Sequence, residues 1–370
     1  MKEGKISPTQ LVFLLFLSRI FSVLEQTPSF GDSFSGATLL LSTLLSFVMQ
    51  CILVIPMLLL FYRYQEQNIL GCAFLASPIL GKIAACFFLL LFLLHLSGGY
   101  AIFSFFMTNI VYPKSSSFLI VLLLAAVCTA CACYGLQGLA RAGTVIFTLF
   151  ILTTAFLSFA AADNADALNI HAIPGDGFSQ IIESALNSTS KNTEFFAMLM
   201  LLPQIAKPQK KRACAFWFLT LTFLFIELTQ FLILAVLGDF GMEQTFPYYA
   251  LTTVIDFSIF QRLDSLHVTL WIFAAVFHCT LYSICISKCT AVLFPHKISR
   301  FTPLFSLAAG GGLGVFFAGN MQFLRQIKLS NSLFLTLVAA VFPLILFIIL
   351  YRKEKRHAPQ KGISAPAAHS

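Results

Sequence analysis

Asn192–Arg212 reads NTEFFAMLMLLPQIAKPQKKR, and the fold turns on this stretch. Its apolar run from Phe195 to Ile205 is about 11 residues, roughly 16 Å at 1.5 Å per residue, whereas a membrane-spanning helix needs about 20 residues. It is too short to span alone. Glu194 opens it, Pro203 cuts its far end, and Lys207, Lys210, Lys211 and Arg212 follow at once. A short, proline-interrupted hydrophobic segment points to a transporter-type binding site when a matching broken segment stands in the other half of the chain. The first hydrophobic segment, Thr9 to Phe30, is such a match, interrupted by Arg19, Glu25, Gln26 and Pro28.

With 58% hydrophobic residues and only 10% charged, the chain lacks the charge that a water-facing surface requires. A mean hydropathy of +0.88 says the same, so this is an integral membrane protein of all-α class. The net charge of +8 does not indicate nucleic acid, because the basic residues fall between hydrophobic segments on alternate sides, as topology signals do. The ten cysteines avoid the outer loops and read as reduced thiols.

Further spans are expected at about 37–62, 80–111, 117–135, 140–162, 192–206, 212–238, 265–294, 300–319 and 329–351, about ten in all with the first. An even number puts both termini on one side. That side carries Arg63, Arg141, Lys207, Lys210, Lys211, Arg212, Lys297, Arg300 and the basic tail, against Lys114, Lys191, Arg262, Arg325 and Lys328 opposite. Both termini are therefore expected in the cytoplasm. Residues 1–352 read as one permease-like domain with halves of about 8–162 and 192–351, and 353–370 as a basic, disordered cytoplasmic tail. Five spans per half start from opposite sides of the membrane, so any repeat is inverted and pairs the first span with the sixth. The outer connections hold Pro174-Gly175-Asp176-Gly177, then FSQIIESAL with the spacing of a short surface helix, and later the amphipathic YYALTTVIDFSIFQRLDS.

Ionisable groups inside spans need a partner, a cavity or a route to the interface. Arg19 and Glu25 lie in the first span, His95 in the third, Glu227 in the seventh, and His278 and Lys288 in the eighth. Arg19 and Glu25 meet only if the helix between them bends; otherwise Glu25 marks the outer end of the span. His278 and Tyr282 share a helix face and either line a small-molecule pocket or bond to a neighbouring helix. Glu194, heading a half-length helix, has capping as its default role, with ligand or proton binding as the alternative. Glu227 with Gln230 suits a proton relay or a structural bond, and Lys288 is expected to snorkel. Gly98-Gly99 reads as close packing, and Cys128, Cys131 and Cys133 as small fillers rather than metal ligands. No phosphate loop, HExxH or nucleophile elbow is present in the sequence, so neither an enzyme nor a cofactor is expected.

The order KISPTQL, IPGDGFSQIIESAL, NTEFFAMLMLLPQ with KPQKKR, GDFGMEQTFPYY and FQRLDSLHVTLWIF resembles the spore germination permease family, the B subunits of germinant receptors within the APC-type superfamily. The resemblance covers about residues 4–352 and is most specific at Arg262, Asp264 and Trp271. It implies a LeuT-like fold with a 5+5 inverted repeat and broken helices 1 and 6, in the endospore inner membrane. It also implies recognition of a small germinant, typically an amino acid, together with an A subunit and a lipoprotein C subunit. Carried onto this chain, the ligand residues are Ser22, Val23, Leu24 and Glu25 in the first span, Gly99 and Tyr100 in the third, Asn192, Thr193 and Glu194 at the start of the sixth, and His278 and Tyr282 in the eighth. Many relatives have a glycine-rich break in the first span, where this chain has Arg19-Ile20-Phe21-Ser22-Val23. The rival functions are a proton-coupled amino-acid permease, with Glu227 or Glu25 carrying the proton, and a scaffold subunit that binds no ligand.

Overall fold

A backbone inside lipid must satisfy its own N–H and C=O groups, and this chain does so with helices. The computed structural model describes residues 5–25, 36–170, 177–255, 263–294 and 301–357. The expected interruptions at Gln26 and Pro28, the Pro174–Asp176 turn, Arg262 and the last thirteen residues of the tail, from 358, lie outside the described residues, as does the side chain of Glu25.

Helix α1 (Pro8–Glu25) begins with a reciprocal cap in which the Gln10 amide donates to Ser7 Oγ and the Ser7 amide to Gln10 Oε1. Helices α2 (Gly36–Leu53) and α3 (Ile55–Arg63) form one 28-residue apolar segment, with Pro56 in the first turn of α3. Helix α4 (Ile69–Ala76) is capped by Asn68, and α5 (Pro78–Phe106) runs on into a π turn at Met107–Val111. Helix α6 (Ser117–Ala162) has 46 residues. Straight, it would be about 69 Å long, more than twice the roughly 30 Å hydrocarbon layer. It is not straight, because Gly135 sits at φ 77° and ψ 177° inside it, at the end of the first of the two spans expected there from hydropathy. Helix α7 (Phe178–Ser190) precedes α8 (Glu194–Leu201), which a 3₁₀ turn at Leu202–Gln204 ends at Pro203. Then follow α9 (Lys211–Leu237), α10 (Asp239–Glu243), α11 (Pro247–Val254) and α12 (Asp264–Leu293). Helix α13 (Thr302–Phe305) passes through a π turn at Ser306–Gly310 into α14 (Gly311–Gly319), and α15 (Met321–His357) closes the described chain.

By length and composition, seven helical segments among the described residues can cross a membrane, and two shorter apolar ones, Pro8–Leu24 and Glu194–Gln204, accompany them. The long segments carry lipid-facing Phe, Leu and Ile, whereas α12 is the axis, with 72% of its most apolar window buried. It packs against α1, α5, α6, α8 and α11. In lipid such packing rests on close contact and hydrogen bonds between helices rather than on escape from water. Trp271 shows both, lying against the rings of Phe21, Phe103 and Phe106 while its indole N–H donates to the Phe21 carbonyl at 3.4 Å.

Two expectations are corrected. The first span is not broken at Ser22–Glu25, since α1 is regular to Glu25. Arg19 Nη1 finds acceptors beside the intact helix, donating to the Lys191 carbonyl at 2.5 Å and to Ser22 Oγ at 3.2 Å. Lys288, expected to snorkel, is buried on α12 rather than exposed along its length. At the other end of α1, the Ile6 amide donates to the Gln204 carbonyl at 3.1 Å and the Ala206 amide to the Ile6 carbonyl at 2.8 Å, joining the approach to α1 with the exit from α8.

Candidate functional site

Where α1, α5, α8 and α12 meet, polar groups gather inside an otherwise apolar core. Pro203 and the residues after it stop α8 early, and its opposite end places Glu194 at 0% exposure beside α1 and α12. Ser18 Oγ donates to Glu194 Oε1 at 3.1 Å, and His278 Nδ1 lies 3.1 Å from both the Ser18 hydroxyl and the Ser18 carbonyl. The same ring nitrogen is 3.6 Å from Glu194 Oε1. With the Ser18 hydroxyl donating to the carboxylate, Nδ1–H donating to Ser18 completes a chain from imidazole to carboxylate. Glu194 therefore does more than cap: its carboxylate binds across to α1, and Thr193 at the cap position makes no side-chain cap bond.

One turn along α12, Tyr282 packs edge-on against His278 at 4.7 Å, as their four-residue spacing requires. Its hydroxyl shares a 2.9 Å hydrogen bond with Thr193 Oγ1. His95 of α5 stacks on the other side of Tyr282 at 5.5 Å. At Gly99, one turn after His95, α5 runs close against α12: a Cβ there would lie 3.1 Å from both Cys279 Sγ and His278 Cδ2. Two buried polar atoms in this cluster lack a hydrogen-bond partner, Glu194 Oε2 and His95 Nε2. Buried polar atoms are rarely left so, and one that is calls for a functional explanation.

Of the residues expected to meet a ligand, Gly99, Thr193, Glu194, His278 and Tyr282 are brought together, Ser22, Val23, Leu24, Tyr100 and Asn192 are not, and the Glu25 side chain lies outside the described residues. Tyr100 turns away from Gly99, its ring lying against Gly310 and Gly314. Asn192 donates to Gln50 Oε1 at 2.6 Å, joining a polar seam with Ser46 and Thr189 between α2 and α7. Ser22 donates to the Arg19 carbonyl, and Val23 and Leu24 face a separate cavity. Glu227 stands apart on α9, and Gln230 accepts from Thr43 of α2 instead of serving as its partner. Ser18 and His95 belong to the cluster without having been assigned to it. For His95 the signal was present, four residues before Gly99 on one helix face; for Ser18 there was none.

The separate cavity lies on the opposite flank of α1, enclosed by α1, α2, α7, α9 and α11, with a volume of about 50 Å³. Arg19 and Lys191 line it together with the hydroxyls of Ser42, Ser184, Ser188 and Thr229. Among the described residues no group of three or more histidine, cysteine or acidic side chains is placed to hold a metal, and none of the ten cysteines is in a disulfide.

Among curated proteins none matches the sequence. In three dimensions the chain resembles a solved structure titled "Inward facing conformation of Mhp1", with a TM-score of 0.60 over 96% of this chain and 78% of that one at 13% identity. At that identity the likeness concerns the fold alone. Residues 5–310 match the family model described as spore germination protein, so most of the chain, including every residue of the cluster, falls inside the match. The chain belongs to the spore germination protein family.

Proposed function

We propose that this chain is the germinant-sensing membrane subunit of a spore germinant receptor and binds a small amino acid at the Glu194–His278–Tyr282 cluster. The observation that carries this reading is Glu194 Oε2, a fully buried carboxylate oxygen with no hydrogen-bond partner. A buried polar atom left without a hydrogen bond is costly, and the ammonium group of an amino acid would donate to Oε2. His95 Nε2 offers a second contact across the Tyr282 ring. Binding would draw α8 toward α5 and α1, and the shift in packing would pass to an A subunit and a lipoprotein C subunit in the endospore inner membrane.

With this reading goes a proposed architecture of ten spans in an inverted 5+5 arrangement with both termini cytoplasmic. Dividing α6 at Gly135 and counting the two short apolar helices with the seven long segments gives that number. The counterparts of the repeat are then α1 and α8, which lie side by side through Ser18 and Glu194. A second reading, a proton-coupled permease, is favoured by the same Glu194–Ser18–His278 chain, which is suited to holding a proton. The test is a dose response to a panel of single amino acids in spores whose only receptor contains this chain, set beside uptake of the same labelled amino acids into membrane vesicles. A saturable germination response without uptake supports sensing. Saturable uptake with no germination response overturns it in favour of the permease.

A further inference from the structure

Glu227 sits on the side of α9 that faces away from the bundle. Phe225 and Thr229, two residues to either side of it, are buried, and at 3.6 residues per turn Glu227 stands about 160° round the helix from both. Phe216, Leu224 and Phe231 share its side and are exposed. Neither end of the helix offers the carboxylate a way out. Glu227 is 14 residues from Ala213 and 10 from Leu237, about 21 Å and 15 Å along the axis, and its side chain is far shorter than either. Lipid suits the Phe and Leu side chains but gives a carboxylate nothing to bind. Among the described residues Glu227 Oε2 has no hydrogen-bond partner, and two turns earlier on the same side Thr220 Oγ1 has none either. Gln230, one turn on, accepts from Thr43 of α2 instead.

The face continues onto α2. Phe47 stacks on Phe223 at 4.7 Å and closes the seam between the two helices, and Leu44 and Val48, flanking Phe47 in the chain, are exposed. The result is an apolar two-helix face with a carboxylate and a hydroxyl set into it. We infer that this face seats a transmembrane helix of a different protein chain, one that carries a lysine or arginine at the depth of Glu227. The cation supplies a charge-assisted hydrogen bond to the carboxylate, and apolar side chains along the same helix pack on Leu224, Phe231 and Leu44. A second copy of this chain fits less well, because it would set one Glu227 against another. An ion pair enclosed in the membrane holds only while both members are present, so the contact depends on the charge of Glu227. On the opposite side of α9, Phe225 meets Phe16 of α1, so the inference rests on no part of the germinant reading.

The test is photo-cross-linking of the full chain in its native membranes. A benzoylphenylalanine replaces Leu224 on this face or, as the control, Leu119 on α6, which is 51% exposed against 54% for Leu224. The cross-linked peptides are then sequenced. From position 224, and not from 119, the adduct is expected on one hydrophobic segment of another polypeptide, with a lysine or arginine inside that segment. Its yield should fall at least about tenfold in Glu227→Leu at normal abundance. Glu227→Gln, which keeps the shape and removes the charge, carries this step if leucine lowers abundance. Glu227→Lys should restore the adduct when the partner's cation is exchanged for glutamate. The inference is overturned if position 224 labels lipid alone, a second copy of this chain, or a segment without lysine or arginine. It is equally overturned if the yield is unchanged without the Glu227 charge, or if the exchanged pair restores nothing.

Discussion

Replacing Glu194 by glutamine separates a ligand role from a structural one. The carboxylate is fully buried; Oε1 accepts from Ser18 at 3.1 Å, and Oε2 has no hydrogen-bond partner. Glutamine fits the same volume, and its carbonyl keeps the Ser18 bond, so the helix contacts survive. Removing a buried charge costs the fold little, so membrane abundance should remain near that of the unchanged protein. At the Oε2 position, however, a glutamine presents an N–H donor, which cannot accept from an ammonium group. A hydrogen bond to a charged group contributes about 1.5–3 kcal/mol, so the concentration of germinant for half-maximal response should rise about 10- to 150-fold. The assay is the loss of optical density by spores over a germinant series, with this chain quantified in spore membranes and an unrelated receptor in the same spores as control. A midpoint within about twofold of the unchanged receptor at normal abundance would refute the assignment and leave Glu194 a tie between α8 and α1. Alanine differs from glutamine, since it strips Ser18 of its acceptor in a buried setting, and it should lower abundance as well.

Tyr282→Leu removes both the Thr193 bond and the ring between His95 and His278, and should weaken potency by about 1–3 kcal/mol, roughly 5- to 150-fold, at normal protein level. An unchanged dose response would move the site off this face of α12. Gly135→Ala forces a Cβ into φ 77° although space is open around it, so it should cost about 1–2 kcal/mol and lower the thermal midpoint in detergent without changing germinant midpoints. Reporter tags at Lys2 and Ser370 should read as cytoplasmic and one at Gly175 as external; a cytoplasmic Gly175 tag would mean a span count wrong by an odd number.

What was legible in the sequence was what short-range chemistry dictates. Pro203 and the basic residues after it announced the short α8, and the spacing of His278 and Tyr282 put them on one face. The break in α6 was legible because hydropathy gave two spans for a run far too long for one, and Gly135 is the residue there that takes a positive φ without strain. Long-range partners were hidden. Nothing near Arg19 reveals that a carbonyl 172 positions later accepts one of its hydrogen bonds, and the chain read as broken where it is regular. Ser18 passed for an ordinary helix residue because its partner lies 176 positions away. Of the neighbours Gly99 and Tyr100, sequence could not say which faces α12, since either suits a tight helix crossing; the close approach to His278 selects glycine and sends the tyrosine toward Gly310 and Gly314.

The pairing of Ile6 with Ile205 bears on how motion travels. Two backbone hydrogen bonds fasten the foot of α1 to the foot of α8, while the other ends are joined through side chains, by the Ser18–Glu194 bond with its histidine neighbour and by Arg19 on the Lys191 carbonyl. The two short helices thus resemble the arms of tweezers, pinned at one end and springy at the other. Each arm is about 11 residues, roughly 17 Å, from pin to tip. A displacement of about 2 Å at Glu194 then needs a rotation of only about 7° over that length. The pinned end converts a small opening at the tips into a tilt shared by every helix packed along the arms, and α12, in contact with both, takes up that tilt along its length.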